Sequence, residues 1–170
     1  MNSLKNLLLF LFLTCLSISS FAQQNELLTS IPSSKEDFIK SEPAVINTIN
    51  WLESTPVTQE LEKRKLLNSN LIVWITNSPT VTIELNSKVV TFTKKNSELL
   101  ITFMGGWIKY ALQNSYSQDA VKCNLAGIRS AIKVYQMGNG LKRDKQIEKV
   151  IELDSKNELE KWLTEQLGKK

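Results

Sequence analysis

A regular apolar stripe in the second half of the chain is the feature that most restricts its fold. Val121, Leu125, Ile128, Ile132 and Tyr135 follow one another at steps of four, three, four and three residues. That spacing places all five side chains on one face of an α-helix, whereas a strand would send them to both faces of a sheet. Most residues between them are polar or small, so the stripe predicts a helix that packs one face against a core.

The segment before this stripe, residues 99–112, is apolar on almost every side. A helix with so little polar surface is expected at the centre of the domain. Two adjacent glycines, Gly105 and Gly106, lie within it and reduce its helix propensity by on the order of 2 kcal/mol relative to two alanines. A neighbouring helix that crosses closely at this point would offset that loss, and a kink or a ligand groove would also fit.

Helical patterns also cover most of the remaining chain, separated by prolines, glycines or polar turns. Pro43 is expected to kink or restart the first helix, because proline lacks the N–H for the i−4 hydrogen bond. The sequence therefore predicts an all-α fold, a single-domain bundle or stack of about six helices arranged as helical hairpins.

Residues 80–95 are the exception to the helical pattern. Val81, Ile83 and Leu85 alternate with polar residues, which indicates an extended segment. Two interpretations stay open: a β-hairpin through residues 86–87, or an extended segment followed by a short helix that begins near Ser87. We favour the second, because two short strands alone are only marginally stable in water.

The first 22 residues have the pattern of a cleaved signal peptide. Lys5 is followed by the apolar residues 7–13, and a small-x-small site ends at Ala22. A retained membrane anchor is the alternative, but the apolar stretch is shorter than the roughly 20 residues that a span requires. We therefore predict a periplasmic or secreted protein with no integral membrane span after cleavage.

After cleavage, the predicted chain has two parts. Residues 23–32 are expected to be a flexible N-terminus, and residues 33–170 a single helical domain. The full chain has 21 basic and 17 acidic residues, a net charge of +4, and the leader removes one lysine. So slight an excess, without a clustered basic face, argues against nucleic acid as a partner.

Missing residue types restrict the chemistry further. The chain contains no histidine, and of its two cysteines only Cys123 remains after the leader is removed. Ser-His-Asp and Cys-His mechanisms are therefore excluded, as are metal sites built from His or several Cys. No catalytic residue, metal ligand or cofactor motif is identified, and Cys123 is expected to be buried among apolar neighbours.

The candidate ligand or partner groove lies around the paired glycines. It comprises Gly105, Gly106, Trp107, Tyr110 and Arg129. Small residues beside aromatic ones can form a concave surface between helices, and Arg129 is a charged residue embedded in the best apolar stripe. The predicted partner is either a protein that binds along this groove or a small apolar ligand.

The sequence thus favours an exported, non-catalytic binding or interaction module of the cell envelope. Two alternatives remain: a carboxylate-dependent hydrolase, which needs two acids at a set separation, and a structural homo-oligomer that associates through the face of Trp162. Lys109 and Tyr116 are further exposed polar candidates.

Overall fold

The computed structural model describes residues 26–168 and is all-helical over that range, which confirms the predicted fold class. The predicted signal peptide, residues 1–22, lies outside the described residues, as do residues 23–25 and 169–170. The seven helices are α1 (Lys35–Lys40), α2 (Glu42–Ser54), α3 (Leu61–Asn77), α4 (Glu98–Gln113), α5 (Ala120–Gln136), α6 (Lys145–Ser155) and α7 (Leu159–Gly168).

The first predicted helix is divided in two at Pro43. Ser41 ends α1, and Pro43 lies in the first turn of α2, where its missing N–H would have no intrahelical partner. The predicted restart at this proline is confirmed, and it brings the count to seven helices among residues 26–168.

Helix α4 lies between two hydrophobic clusters, as its uniformly apolar sequence predicts. Leu99, Phe103 and Trp107 contribute to a cluster shared with α5, α6 and α7. Ile101 and Ile108 contribute to a second cluster shared with α1, α2 and α3. Burial on two sides leaves α4 little solvent-exposed surface, so it forms the centre of the domain.

Helices α4 and α5 cross so closely at Gly106 that no side chain fits there. An ideal Cβ on Gly106 would lie 2.5 Å from the Cβ of Ser130 and 2.7 Å from the carbonyl oxygen of Ala126. Real Cβ atoms do not approach other atoms so closely. The predicted close crossing is confirmed for Gly106, and it explains why a glycine is tolerated inside this helix.

Residues 80–96 form neither the predicted short helix nor the alternative β-hairpin. The segment contains no strand, and near Ser87 there is only a turn, in which the N–H groups of Val89 and Val90 donate to the carbonyl of Asn86. Val89 and Phe92 are fully buried in the cluster of α4 to α7. The chain turns at Asn86 and then inserts these two side chains into that cluster.

The described part of the predicted flexible N-terminus, residues 26–32, has no regular secondary structure but is attached to the domain. Leu28 is buried, its N–H donates to Oγ1 of Thr48 at 2.8 Å, and its carbonyl accepts from Nδ2 of Asn70 at 2.9 Å. Leu28 thus joins this segment to α2 and α3. Across residues 26–168, no helix is both long enough and apolar enough to cross a membrane.

Cys123 is fully buried, as predicted, and burial raises the pKa of its thiol from 9.0 to about 11. At pH 8 we expect iodoacetamide to label Cys123 about 100-fold more slowly in the folded protein than in urea, because two pKa units reduce the thiolate fraction by that factor. The measurement is the labelling rate of the peptide that contains Cys123, followed by mass spectrometry. Equal rates in both states would show that the thiol is accessible.

The same shift has a consequence for stability. The folded state retains the thiol proton in a pH range where the unfolded state loses it. The contribution of the Cys123 thiol to the free energy of unfolding is therefore fully present below about pH 9 and is lost as the pH rises towards 11.

Candidate functional site

A depression of about 280 Å³ opens between α4 and α5 beside their crossing point. We call it the α4–α5 groove. It is lined by Gly106, Lys109, Tyr110 and Gln113 from α4, by Ala126, Arg129, Ser130 and Lys133 from α5, and by Glu53 from α2.

Two other depressions, each of about 360 Å³, lie elsewhere on the described surface. One is formed by residues 26–33 with α1 and α2, and the other lies beside Trp162 on α7. Each includes a single lysine among its lining residues, Lys40 or Lys161. The α4–α5 groove differs from both because three cationic side chains converge on it.

A buried carboxylate forms the floor of the groove. Glu53 has only 5% of its side chain exposed. Its Oε1 accepts a hydrogen bond of 2.6 Å from Oγ of Ser130, and both of its carboxylate oxygens lie 2.6 Å from Nζ of Lys109. A buried charge is tolerated only when it is paired and hydrogen-bonded, and Glu53 meets both conditions. Since its partners lie on α4 and α5, Glu53 connects α2 to both helices of the crossing.

Lys109 is fully occupied by the protein. Its ammonium group has three N–H donors, and Nζ lies within 3.2 Å of three acceptors, the two oxygens of Glu53 and Oδ1 of Asn50. Only 22% of the side chain is exposed. Lys109 therefore contributes positive charge to the groove without a hydrogen-bond donor to spare.

The two cations at the rim have donors available. Arg129 and Lys133 lie four residues apart on α5, so their side chains emerge on one face of the helix. Nε and Nη2 of Arg129 both contact Oδ1 of Asp154 on α6, at 3.0 and 2.9 Å. Nζ of Lys133 lies 3.5 Å from Oε2 of Glu53, and 57% of this side chain is exposed.

The structure divides the predicted groove residues into two groups. Gly106, Tyr110 and Arg129 line the α4–α5 groove. Gly105 instead faces α2, where an ideal Cβ would lie 3.3 Å from the side chain of Ile49. Trp107 is buried in the core, with its ring 6.2 Å from that of Phe103. Consecutive residues on a helix point about 100° apart, which is why neighbours in the sequence separate in this way.

Sequence reasoning missed the floor of the groove. Glu53 follows Ile49 by four residues and adjoins Leu52, so it lies next to the buried face of α2. An acid at such a position is a signal that a cation or hydroxyl must reach it from another helix. Only the fold identifies those partners as Lys109 and Ser130.

Both carboxylates at the groove are paired with cations. Glu53 is held by Lys109, Lys133 and Ser130, and Asp154 is held by Arg129, whereas a carboxyl group that acts as a general acid typically lies in apolar surroundings. Ser130 lies in the middle of α5, where backbone N–H groups are used by the helix and are not available as oxyanion donors.

Residues 26–168 contain no group of three or more side chains that could hold a metal ion. No protein-family model, curated protein or solved structure matches the chain.

Proposed function

We propose that the protein is an exported, non-catalytic binding module of the cell envelope and that the α4–α5 groove binds the anionic group of its ligand. The observation that carries the proposal is the pair of cations at the rim. Arg129 and Lys133 emerge side by side above a buried ionic floor, and each has hydrogen-bond donors that the protein leaves unused.

The charged walls favour an anion over the small apolar ligand that the sequence suggested. An apolar ligand would cover Arg129 and Lys133 and remove water from both charges without replacing the lost hydrogen bonds, which is unfavourable. An anion restores those hydrogen bonds and makes them charge-assisted, which strengthens them.

The size of the groove limits what can enter it. Pockets for whole small molecules usually measure about 300–1,000 Å³, and this groove measures about 280 Å³. It accommodates a small ligand, or one side chain or terminal group of a larger one. Tyr110 and Gln113 on the wall formed by α4 add a hydroxyl and an amide that can orient the rest of the ligand.

Export is supported by the leader pattern of residues 1–22. The intact mass of protein purified from cells that express the full chain reports whether cleavage occurs after Ala22.

Neutralising the rim cations is the direct test. With ionic strength held constant, titration of the protein with acetate, phosphate and sulfate is followed through the amide signals of Gly106 and Ser130. We expect saturable shifts with at least one anion, and we expect Arg129→Gln and Lys133→Gln each to weaken that binding by about fivefold to tenfold, since each removes a charge-assisted hydrogen bond.

Lys156→Gln is the matched control, because it removes the same charge from an exposed pair with Glu152 on α6. This variant should bind as the unchanged protein does. The proposal fails if no anion gives a saturable shift, or if Lys156→Gln weakens binding as much as the two groove variants do.

A further inference from the structure

We infer that the anionic group recognised in the α4–α5 groove is a carboxylate, and that it replaces Asp154 as the partner of Arg129. This inference rests on the proposed function and specifies the ligand chemistry of the same groove. It depends on which donors are available, on the net charge of the groove and on the carboxylate that already contacts Arg129.

The available donors belong to Arg129 and Lys133. Arg129 has five N–H donors, and its contacts with Asp154 involve only Nε and Nη2, both directed at a single oxygen. Lys133 makes one long contact of 3.5 Å with Glu53. A ligand placed between them can accept from the guanidinium of Arg129 and from the ammonium of Lys133 without breaking the shorter bonds of Lys109.

The net charge around the groove fits a single carboxylate. Lys109, Arg129 and Lys133 supply three positive charges, and Glu53 and Asp154 supply two negative ones. Asp154 is fixed in the last turn of α6, so its charge stays at the margin of the groove after its side chain leaves Arg129, and one positive charge remains for the ligand to balance. A phosphate monoester carries about −1.5 to −2 at pH 7 and would place a second negative charge between Glu53 and Asp154.

The contact with Asp154 shows that the position suits a carboxylate. Its Oδ1 accepts from two nitrogens of Arg129, at 2.9 and 3.0 Å. Arg129 is about half exposed and Asp154 is partly exposed, and ion pairs of this kind stabilise a protein little. Asp154 lies in the last turn of α6, so its released side chain can be hydrated. Replacing Asp154 by a ligand carboxylate at Arg129 therefore costs the protein little stability.

Removing the internal competitor tests the inference. Asp154→Asn keeps the size of the side chain but loses its charge, so Arg129 becomes available to the ligand. In the same amide-shift titration we expect Asp154→Asn to bind acetate about twofold to fivefold more tightly than the unchanged protein, the factor that corresponds to an exposed ion pair. Acetate should bind more tightly than phosphate in the unchanged protein, and Asp154→Asn should reduce that preference because it leaves a second positive charge unbalanced.

Glu158→Gln is the matched control. It removes a carboxylate that is close in sequence to Asp154, and the structure records no contact between Glu158 and Arg129. It should change the acetate affinity by less than about 1.5-fold, because an exposed charge that does not contact Arg129 is largely screened by water and salt. An equal gain in both variants would show a general charge effect and would overturn the exchange with Asp154.

The outcomes separate this inference from the proposed function. If the unchanged protein binds acetate and Asp154→Asn does not tighten binding, the exchange is wrong and the anion groove stands. If phosphate binds more tightly than acetate, the carboxylate assignment is wrong. If neither protein binds any anion, both proposals fail.

A blocked tripeptide of glutamate, tested beside acetate, distinguishes a partner protein from a small acid as the source of the carboxylate. Tight binding of either one supports the assignment of a carboxylate to the groove.

Discussion

Replacing Glu53 by leucine is expected to lower the free energy of unfolding by about 3 kcal/mol, although the substitution adds apolar surface to the core. The reason is that the buried partners of Glu53 would remain without it. The ammonium of Lys109 would lose the carboxylate that lies 2.6 Å away, and Oγ of Ser130 would lose its acceptor. Breaking a buried ion pair on one side typically costs about 3–5 kcal/mol. The lower end applies here, because Lys109 keeps some access to water.

The measurement is urea unfolding followed by circular dichroism, applied to Glu53→Leu, Lys109→Met and the double variant. The double variant removes both charges together and should lie about 1–2 kcal/mol below the unchanged protein, because only the hydroxyl of Ser130 is then left without its acceptor. Its recovery would separate the cost of an unpaired charge from a general failure of packing at this position.

Glu152→Leu provides the comparison. Glu152 pairs with Lys156 on the surface of α6, and both side chains are exposed. Its loss should change the free energy of unfolding by no more than about 0.5 kcal/mol. If Glu53→Leu has an equally small effect on the free energy of unfolding, Glu53 does not hold α2 to α4 and α5 as described.

The parts of the fold that could be predicted from the sequence are those set by local periodicity. The stripe from Val121 to Tyr135 and the apolar segment of α4 each predict which face of a helix is buried, because side chains on one helical face share one environment. Pro43 divides the first helix through its own backbone chemistry. Each of these signals lies within one element and needs no knowledge of its neighbours.

Residues 80–96 could not be predicted in the same way, because their conformation is set by tertiary contacts. Val89 and Phe92 fill space between helices that are distant in sequence. The side-chain amide of Asn96 holds the segment by donating to the carbonyl of Lys142 at 2.8 Å and accepting from its N–H at 2.7 Å. An alternating pattern is compatible with a strand, but no second strand is present among the described residues to pair with it.

The candidate groove was predictable only in part for the same reason. Gly106, Tyr110 and Arg129 follow from the small and aromatic residues of α4 and from the charge within the α5 stripe. The partnership of Glu53 with Ser130 joins residues 77 positions apart. No local sequence pattern predicts a contact between residues so far apart in the chain. The sequence therefore indicated a groove, and only the folded structure shows that Glu53 forms its floor.

Replacing Gly106 by alanine is expected to destabilise the protein by about 2 kcal/mol, even though alanine is the better helix former. A Cβ at this position meets Ser130 at 2.5 Å and the carbonyl of Ala126 at 2.7 Å. The second of these is backbone, so α4 and α5 must move apart, and overpacking of this kind costs about 1–3 kcal/mol or more. The gain in helix propensity, about 1 kcal/mol, offsets only part of a cost at the upper end of that range.

Gly105→Ala is the matched control for this prediction, since it changes the adjacent residue of the same helix. The nearest atoms to its Cβ belong to the side chain of Ile49, at 3.3 Å, so Ile49 must shift by a few tenths of an ångström while no backbone atom has to move. The gain in helix propensity and the cost of this shift act in opposite directions, and we expect a melting temperature within about 3 °C of the unchanged protein, against a fall of about 5–10 °C for Gly106→Ala. Equal melting temperatures for the two variants would mean that the helices do not cross as closely as described.

Because Gly106 also lines the groove, separation of α4 from α5 would move Lys109 away from Ser130 and disturb the carboxylate floor on which anion binding depends.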